Sequence, residues 1–369
     1  MRYLVFKPDG IGDFVLASGG YRLLADLAGE ENLTLVVMPP VKSIARSQFP
    51  KATVIALPME KKRKVVNVFV MNFLRCLGPW REIRRHPMEA AISFRTMRAY
   101  LHTFLFYSTR TKHFFGCENL LIRNRRWSRR FVEWVTRTFL APRIAPYPEA
   151  AEGVPSELEA HRRVLSLALN REVALAEILP RLRTETATVD GNYWLCSPLS
   201  AIPSKNYPLE SWCEVFRQVR DLIGGSEIRL TGSADQKSLL DELAGRLRAE
   251  QFSAIVELRP TLQGFVELIN EAKWVLTIDT AAAHMACALD KRCLILFSGL
   301  LRGMFGPWTR SPRQVWLDPL PPPDGIKRKW FRGMPPDRVS AAIRALNEIG
   351  GVTPSARRNP ATSGNAGFP

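Results

Sequence analysis

The stretch Trp274-Val275-Leu276-Thr277-Ile278-Asp279-Thr280-Ala281-Ala282-Ala283-His284 decides the fold. Residues 274–278 read as a strand, Asp279-Thr280 ends it, and small residues open a helix over 281–289. The flanking chain repeats that rhythm. Strands are expected at 193–196, 228–230, 254–257 and 294–297, and helices at 209–222, 235–248, 261–272 and 336–349. Strands alternating with helices imply βαβ units and a parallel sheet.

The amino-terminal part follows the same plan. Residues 3–6 read as a short strand, Gly10-Ile11-Gly12-Asp13 as a tight turn, and 14–27 as a helix with Phe14, Val15, Ala17, Tyr21, Leu24 and Leu27 at helical spacing. Further strands are expected at 33–38, 53–57, 90–94 and 112–115. A Pro- and Ala-rich passage over 141–155 reads as a linker. The helix 156–169 follows, with Ser156 as N-cap and Glu159 three residues on. The fold class is therefore α/β, with two successive Rossmann-like units facing each other across a cleft. Their expected extents are 1–180 and 190–350, with a small-residue-rich tail over 351–369. Ligands in such sheets sit outside the carboxyl ends of the strands.

Composition narrows the classes. With 369 residues and a 46% hydrophobic share, the chain has material for two packed cores. The six cysteines form no CxxC pair and read as buried thiols of a reducing cytoplasm. The histidines show no ligand spacing, so no metal site is expected. The longest apolar stretch, 65–77, is broken by Asn67, Asn72 and Arg75 and is too short for a membrane span. The net charge of +17 is concentrated: Lys61 to Arg137 holds eighteen Lys or Arg against four Glu. Such a concentration reports on a partner surface rather than on the fold.

Three segments have the residue types for chemistry, each with a bland alternative. Asp13, after the glycine turn, reads as a general base facing the cleft or as a helix N-cap. Around Asp279, Thr280 and Ala281, small residues expose helix N–H groups that suit a phosphate. Alternatively Asp279 caps that helix and His284 is a satisfied core histidine. In Ser197 to Pro208, Lys205 either neutralises a diphosphate leaving group or is a solvated loop lysine. There is no DxD pair in a loop, GxSxG, P-loop or GxGxxG.

In this order, these residues resemble glycosyltransferase family 9, the ADP-heptose lipopolysaccharide heptosyltransferases. Gly10-Ile11-Gly12-Asp13 is similar to the family's opening turn. Residues 156–169, with Glu157, Glu159 and His161, are similar to its acidic helix. Ser204-Lys205-Asn206-Tyr207-Pro208 resembles Lys-x-Trp-Pro with tyrosine for tryptophan. Leu230-Thr231-Gly232, Asp279 to His284, Phe297-Ser298-Gly299 and Gly306-Pro307-Trp308 follow the family in sequence. The resemblance implies a GT-B fold and inverting, metal-independent transfer without a cofactor. It makes Asp13 the base, with Gly10 and Gly12 on the acceptor side. Lys205 and Ser200 would hold the donor diphosphate, and Thr280 and Ala281 would offer backbone N–H groups, with His284 supporting that loop. Asp235 or Gln236 falls where the family contacts the ribose.

Ala281 stands where the family has glycine; a positive φ there would strain the loop. That departure motivates the alternative of a non-catalytic or weakened GT-B nucleotide- or glycan-binding protein. Over 123–139, Trp127, Phe131, Trp134, Val135 and Phe139 share one helical face, with Arg125, Arg126, Arg129, Arg130 and Arg137 around the rest. The pattern fits a helix on an anionic membrane surface, with Arg123 to Arg137 as the contact, and equally a helix packed on its own domain. The implied partners are a nucleotide-sugar donor and an acidic glycolipid acceptor, at a cytoplasmic or peripheral inner-membrane location. No nucleic-acid-binding module is recognised.

Overall fold

The computed structural model describes residues 1–58, 67–85, 87–96, 100–118, 134, 138, 142–149, 151, 154–186, 191–321 and 330–351. Two six-stranded parallel sheets organise them. The first contains β1 (Tyr3–Phe6), β2 (Leu33–Val37), β3 (Thr53–Ala56), β4 (Met88–Ser93), β5 (Thr111–Cys117) and β6 (Arg143–Ala145), in the order β3-β2-β1-β4-β5-β6. The second contains β7 (Tyr193–Ser197), β8 (Glu227–Leu230), β9 (Ala254–Val256), β10 (Trp274–Ile278), β11 (Cys293–Leu296) and β12 (Gln314–Leu317), in the order β12-β11-β10-β7-β8-β9. Counted from its own first strand, the second sheet repeats the doubly wound order of the first. Register follows the apolar runs: Leu4 pairs with Thr34 and Ala91, and Leu276 with Cys196 and Leu294. The central strands β1, β7 and β10 are buried along their whole length, because helices cover both faces of each sheet.

Those helices are α1 (Ile11–Ala28), α2 (Lys42–Gln48), α3 (Asn67–Arg85), α4 (Tyr100–Tyr107) and α5 (Ser156–Leu169) around the first sheet. Around the second are α6 (Leu209–Gln218), α7 (Arg220–Ile223), α8 (Lys237–Ala249), α9 (Leu262–Glu271), α10 (Ala281–Ala288) and α11 (Pro336–Gly351). The single helix expected over 209–222 breaks at Val219 (φ −110°, ψ 20°) into α6 and α7. Thr261 caps α9, its hydroxyl accepting from the Gly264 N–H at 3.0 Å. The expected linker over 141–155 is interrupted by β6, whose Ile144 pairs with Gly116. β12 was not expected either; it is short and half-exposed, and pairing with β11 defines it. Ser156 is the first helical residue of α5, not its cap. Pro155 holds the cap position, and the Ser156 hydroxyl meets Tyr147 Oη at 2.7 Å.

The two halves share one apolar cluster. It runs from Tyr3, Val5 and Leu35 through Phe14 and Leu24 of α1 to Ala282, Met285 and Ala286 of α10. Close approach demands glycine in α1: a Cβ on Gly19 would stand 2.1 Å from the Ile178 carbonyl oxygen. Gln48 adds a polar tie between the halves, donating to the Arg183 carbonyl at 2.8 Å and to Gln263 Oε1 at 3.1 Å. At the far end, the N–H groups of Ser156 and Glu157 donate to the carbonyls of Gly303 and Met304 at 2.7 and 3.1 Å. These contacts bring the carboxyl ends of β1 and β10 face to face. Among the described residues no helix is long and apolar enough to cross a membrane.

Candidate active site between the two sheet edges

Strand order reverses between β1 and β4 in one sheet and between β7 and β10 in the other, so each sheet has a crevice at that point. The chain leaving β1 crosses the first crevice as Lys7, Pro8, Asp9 and Gly10. Gly10 is the N-cap of α1, in extended conformation. Asp13 sits three residues into the helix, and its Oδ2 accepts from the Gly10 N–H at 3.1 Å. Asp13 is therefore not the cap itself, and its carboxylate lines the cleft. Burial raises its pKa and Asp9 adds to that, while Lys7 opposes.

A charged cluster backs Asp13. Lys7, only 2% exposed, donates to the Phe94 carbonyl at 3.0 Å and lies 3.4 Å from Asp9 Oδ2 and 3.8 Å from Glu157 Oε2. Arg95, which follows β4, donates to the Pro8 carbonyl at 2.5 Å and pairs with Asp9. Thr96 donates to Glu157 Oε1 at 2.5 Å. Burial lifts the Glu157 carboxyl to about 7 despite Lys7. Burial and then Lys7 push His161 well below its ordinary value, so its neutral ring donates from Nε2 to the Phe94 carbonyl at 3.2 Å. Lys7, Asp9 and Arg95 had no role in the sequence reading. Their one signal is position, each within a few residues of a central strand's carboxyl end.

The opposite wall is built from β7 and β10. Lys205 Nζ donates to Asp279 Oδ2 at 3.1 Å and to the Asp279 carbonyl at 3.3 Å. Ser298, following β11, donates to the same Oδ2 at 2.8 Å. Asp279 Oδ1 is buried and has no hydrogen-bond partner among the described residues. Burial raises the Asp279 pKa, which Lys205 and Ser298 offset only in part. Lys205 is thus tied into the site rather than solvated. Its loop is held by Asn206, which accepts from the Ser200 N–H at 2.7 Å, and by the Trp330 indole on the Ser204 carbonyl at 3.1 Å. Tyr207, where the family pattern has tryptophan, is buried against Trp212 and reaches the Met334 carbonyl at 2.8 Å.

Asp279 does not cap α10. Thr280 is the N-cap, and its side chain makes no capping bond. The first N–H groups of the helix, on Ala281 and Ala282, lack intrahelical acceptors and carry the positive end of the helix dipole. Ala281 begins the helix, and among the described residues the non-glycine positions with positive φ are Asn170, Gln251, Asp290 and Leu301. Alanine in place of the family glycine therefore adds no backbone strain. His284 is buried, but its Nδ1 accepts from the Trp308 indole N–H at 2.9 Å. Burial, then Lys205, lower its pKa to about 4, so the ring is neutral.

Gly12, Asp13, Lys205, Asp279, Thr280, Ala281 and His284 all line one cleft of about 200 Å³, closed on its apolar side by Phe297, Leu300, Leu301, Phe305 and Trp316. A larger hollow of about 510 Å³, around Gly191, Lys273, Asp290 and Arg292, lies at the amino ends of the second sheet's strands and holds none of these groups. Ser200, Asp235 and Gln236 stand outside the cleft lining. The Ser200 hydroxyl accepts from the Ile202 N–H at 3.1 Å, Asp235 is exposed, and Gln236 Oε1 accepts from the Ser233 N–H at 3.1 Å. Of the basic stretch, Lys61 to Lys64 and Arg123, Arg125, Arg126, Arg129, Arg130 and Arg137 lie outside the described residues. Trp134 within it is 61% exposed.

Residues 156–329 match the model of glycosyltransferase family 9 (heptosyltransferase). The lipopolysaccharide heptosyltransferase 1 of Escherichia coli K12 is 30% identical over 139 residues, which cover 36% of this chain and 41% of that protein. Its Pseudomonas aeruginosa counterpart is 33% identical over 116 residues, 31% of each chain. The matched segment thus spans less than half the length of these relatives. The solved structure of E. coli heptosyltransferase WaaC with ADP aligns over 94% of this chain and all of that one, with a TM-score of 0.67 at 17% identity. A glycosyl transferase family 9 structure from Veillonella parvula aligns with a TM-score of 0.68 at 13% identity, over 94% of this chain and 97% of that one. The fold is accordingly GT-B, two facing Rossmann-like domains with a central cleft.

Proposed function

We propose that the chain, whose residues 156–329 match the glycosyltransferase family 9 model, is an inverting, metal-independent heptosyltransferase of that family. It moves a heptose-type sugar from ADP-heptose to a lipopolysaccharide core or related acidic glycolipid. The observation behind this reading is that Asp13 and the Lys205–Asp279–Ala281 wall line a single cleft from opposite sheets. The first domain, 1–180, presents the acceptor, and the second, 190–350, binds the donor.

In the reaction, the acceptor hydroxyl gives its proton to Asp13 as its oxygen attacks the anomeric carbon. The bond from that carbon to the diphosphate oxygen breaks on the opposite face, which inverts the configuration. The charge left on the nucleoside diphosphate falls to Lys205, to the N–H groups of Ala281 and Ala282 and to His284; the Thr280 N–H, expected to share in this, already donates to the Ile278 carbonyl at 2.8 Å. That supply of positive charge supports a metal-independent step. The unpartnered Asp279 Oδ1 supports recognition of a ligand hydroxyl at the same place, since a buried acceptor left alone is unfavourable. Asp235 or Gln236 meets the ribose, and Gly10 and Gly12 keep the acceptor side open. The net +14 between Lys61 and Arg137 supports an acidic acceptor and an anionic cytoplasmic-leaflet surface, with the protein peripheral to it.

Calorimetry with ADP, UDP and GDP, followed by transfer from ADP-heptose to a heptose-free core glycolipid, tests this. Binding selective for ADP and formation of the heptosylated product are expected. No binding to any of the three nucleotides would overturn the proposal.

A further inference from the structure

The His284 ring is held from behind by tryptophan. An indole N–H can only donate, so Trp308 Nε1, 2.9 Å from His284 Nδ1, requires that nitrogen to be an acceptor. A neutral imidazole with an accepting Nδ1 bears its proton on Nε2. Trp308 is itself fixed: it is buried, its ring lies nearly parallel to the imidazole (11°), and its carbonyl accepts from the Trp316 indole at 2.7 Å. The other edge of the imidazole faces Gly12, where a Cβ would come within 3.1 Å of Cδ2 and 3.7 Å of Nε2. Glycine there leaves the Nε2 edge open to the cleft, and Nε2 has no protein partner among the described residues. Lys205, the charged group acting on the ring, disfavours a second proton.

The geometry assigns Trp308 as a positioning residue that holds His284 in the neutral Nε2–H tautomer, so that this N–H points into the cleft as a donor to a phosphate oxygen. This rests on the donor site proposed above. Without that anchor the neutral ring is free to take the other tautomer, which presents a lone pair rather than a proton to the anion.

Two measurements test it. Nitrogen-15 NMR of the full chain without ligand, with the His284 signal identified by His284→Gln, reads the tautomer directly. Wild type should be entirely Nε2–H, and Trp308→Phe should show a mixture. A wild-type Nδ1–H tautomer, or an unchanged tautomer in Trp308→Phe, overturns the assignment, and the wild-type reading stands even if the variant fails to fold. Calorimetry with ADP should show Trp308→Phe weakened by the reciprocal of the Nε2–H fraction that NMR reads, about twofold for an even mixture. Glutamine at 284 keeps an amide N–H near the Nε2 position and needs no tautomer set. Adding Trp308→Phe to His284→Gln should therefore leave ADP affinity unchanged. Equal losses in both backgrounds would make Trp308 merely structural and overturn the proposal. Failure of the wild type to bind ADP would instead refute the donor site, while the NMR result would stand on its own.

Discussion

Replacing Asp13 with asparagine separates its chemistry from its place in the fold. The asparagine amide keeps an oxygen to accept the Gly10 N–H, now held by Asp13 Oδ2 at 3.1 Å, and has nearly the same volume in a corner where a Gly10 Cβ would stand only 3.2 Å away. The helix start should therefore survive. What disappears is the proton acceptor. General-base catalysis contributes roughly 10²- to 10⁴-fold, about 3 to 5 kcal/mol of barrier, so kcat should fall by that factor. The proposed ADP site lies on the opposite wall, so ADP affinity should stay within about threefold. Stability has its own sign. Burial raises the Asp13 pKa, so the ionised carboxylate is disfavoured in the fold, and that penalty grows as pH rises past the unfolded value. Thermal denaturation should show Asp13→Asn at least as stable as wild type at pH 7.5. Initial rates with saturating donor, calorimetry with ADP and melting curves read the three effects separately. A variant that keeps kcat within threefold of wild type would refute the assignment of Asp13 as base. A kcat loss with an equal loss of ADP affinity would refute the separation of walls.

Lys205→Met should weaken ADP roughly 10- to 100-fold, the loss of a charged hydrogen bond, and the deficit should shrink at high salt; calorimetry at two ionic strengths checks this. The fold should also be sensitive to acid through His284: the unfolded ring takes a proton near pH 6.5 and the folded one only at about 4. Stability therefore falls by about 3 kcal/mol as pH drops through that window, and urea denaturation from pH 7.5 to 4.5 should show a shallower fall in His284→Gln. Glu157 acts in the opposite sense: its folded pKa of about 7 means stability is lost as pH rises from about 4.5 through 7, and Glu157→Gln should remove that slope. Gly19→Ala forces a Cβ to 2.1 Å from the Ile178 carbonyl oxygen and should destabilise by about 3 kcal/mol or more, whereas Gly245→Ala, with nothing within 4 Å, should stabilise α8 by about 0.5–1 kcal/mol in the same denaturation assay.

The strand-helix alternation from 193 to 297 was readable because each central strand is an uninterrupted apolar run and each helix has an apolar face. β12 escaped because Gln314–Leu317 is short and half-exposed, and only its partner β11 makes it a strand. β6 escaped for the same reason, inside a passage whose prolines read as linker. The Asp13, Lys205 and Asp279 positions were legible as strand ends with chemistry-bearing residues. The cluster of Lys7, Asp9, Arg95 and Glu157 was not, since its members lie up to 150 positions apart and meet only at the β1/β4 crevice.

Local sequence alone determined that Asp279 and Thr280 end a buried strand and that small residues follow, because hydrophobic period and turn chemistry act over a few residues. It left open whether Asp279 capped α10, whether Ala281 strained it and whether His284 was a filler of the core. Those answers depend on groups far along the chain. Lys205 and Ser298 claim one oxygen of Asp279, Thr280 takes the cap, and Trp308 takes one nitrogen of His284 and leaves the other to the cleft. Hydrogen-bond partners and burial are tertiary quantities, and it is they that turn a strand end into a site.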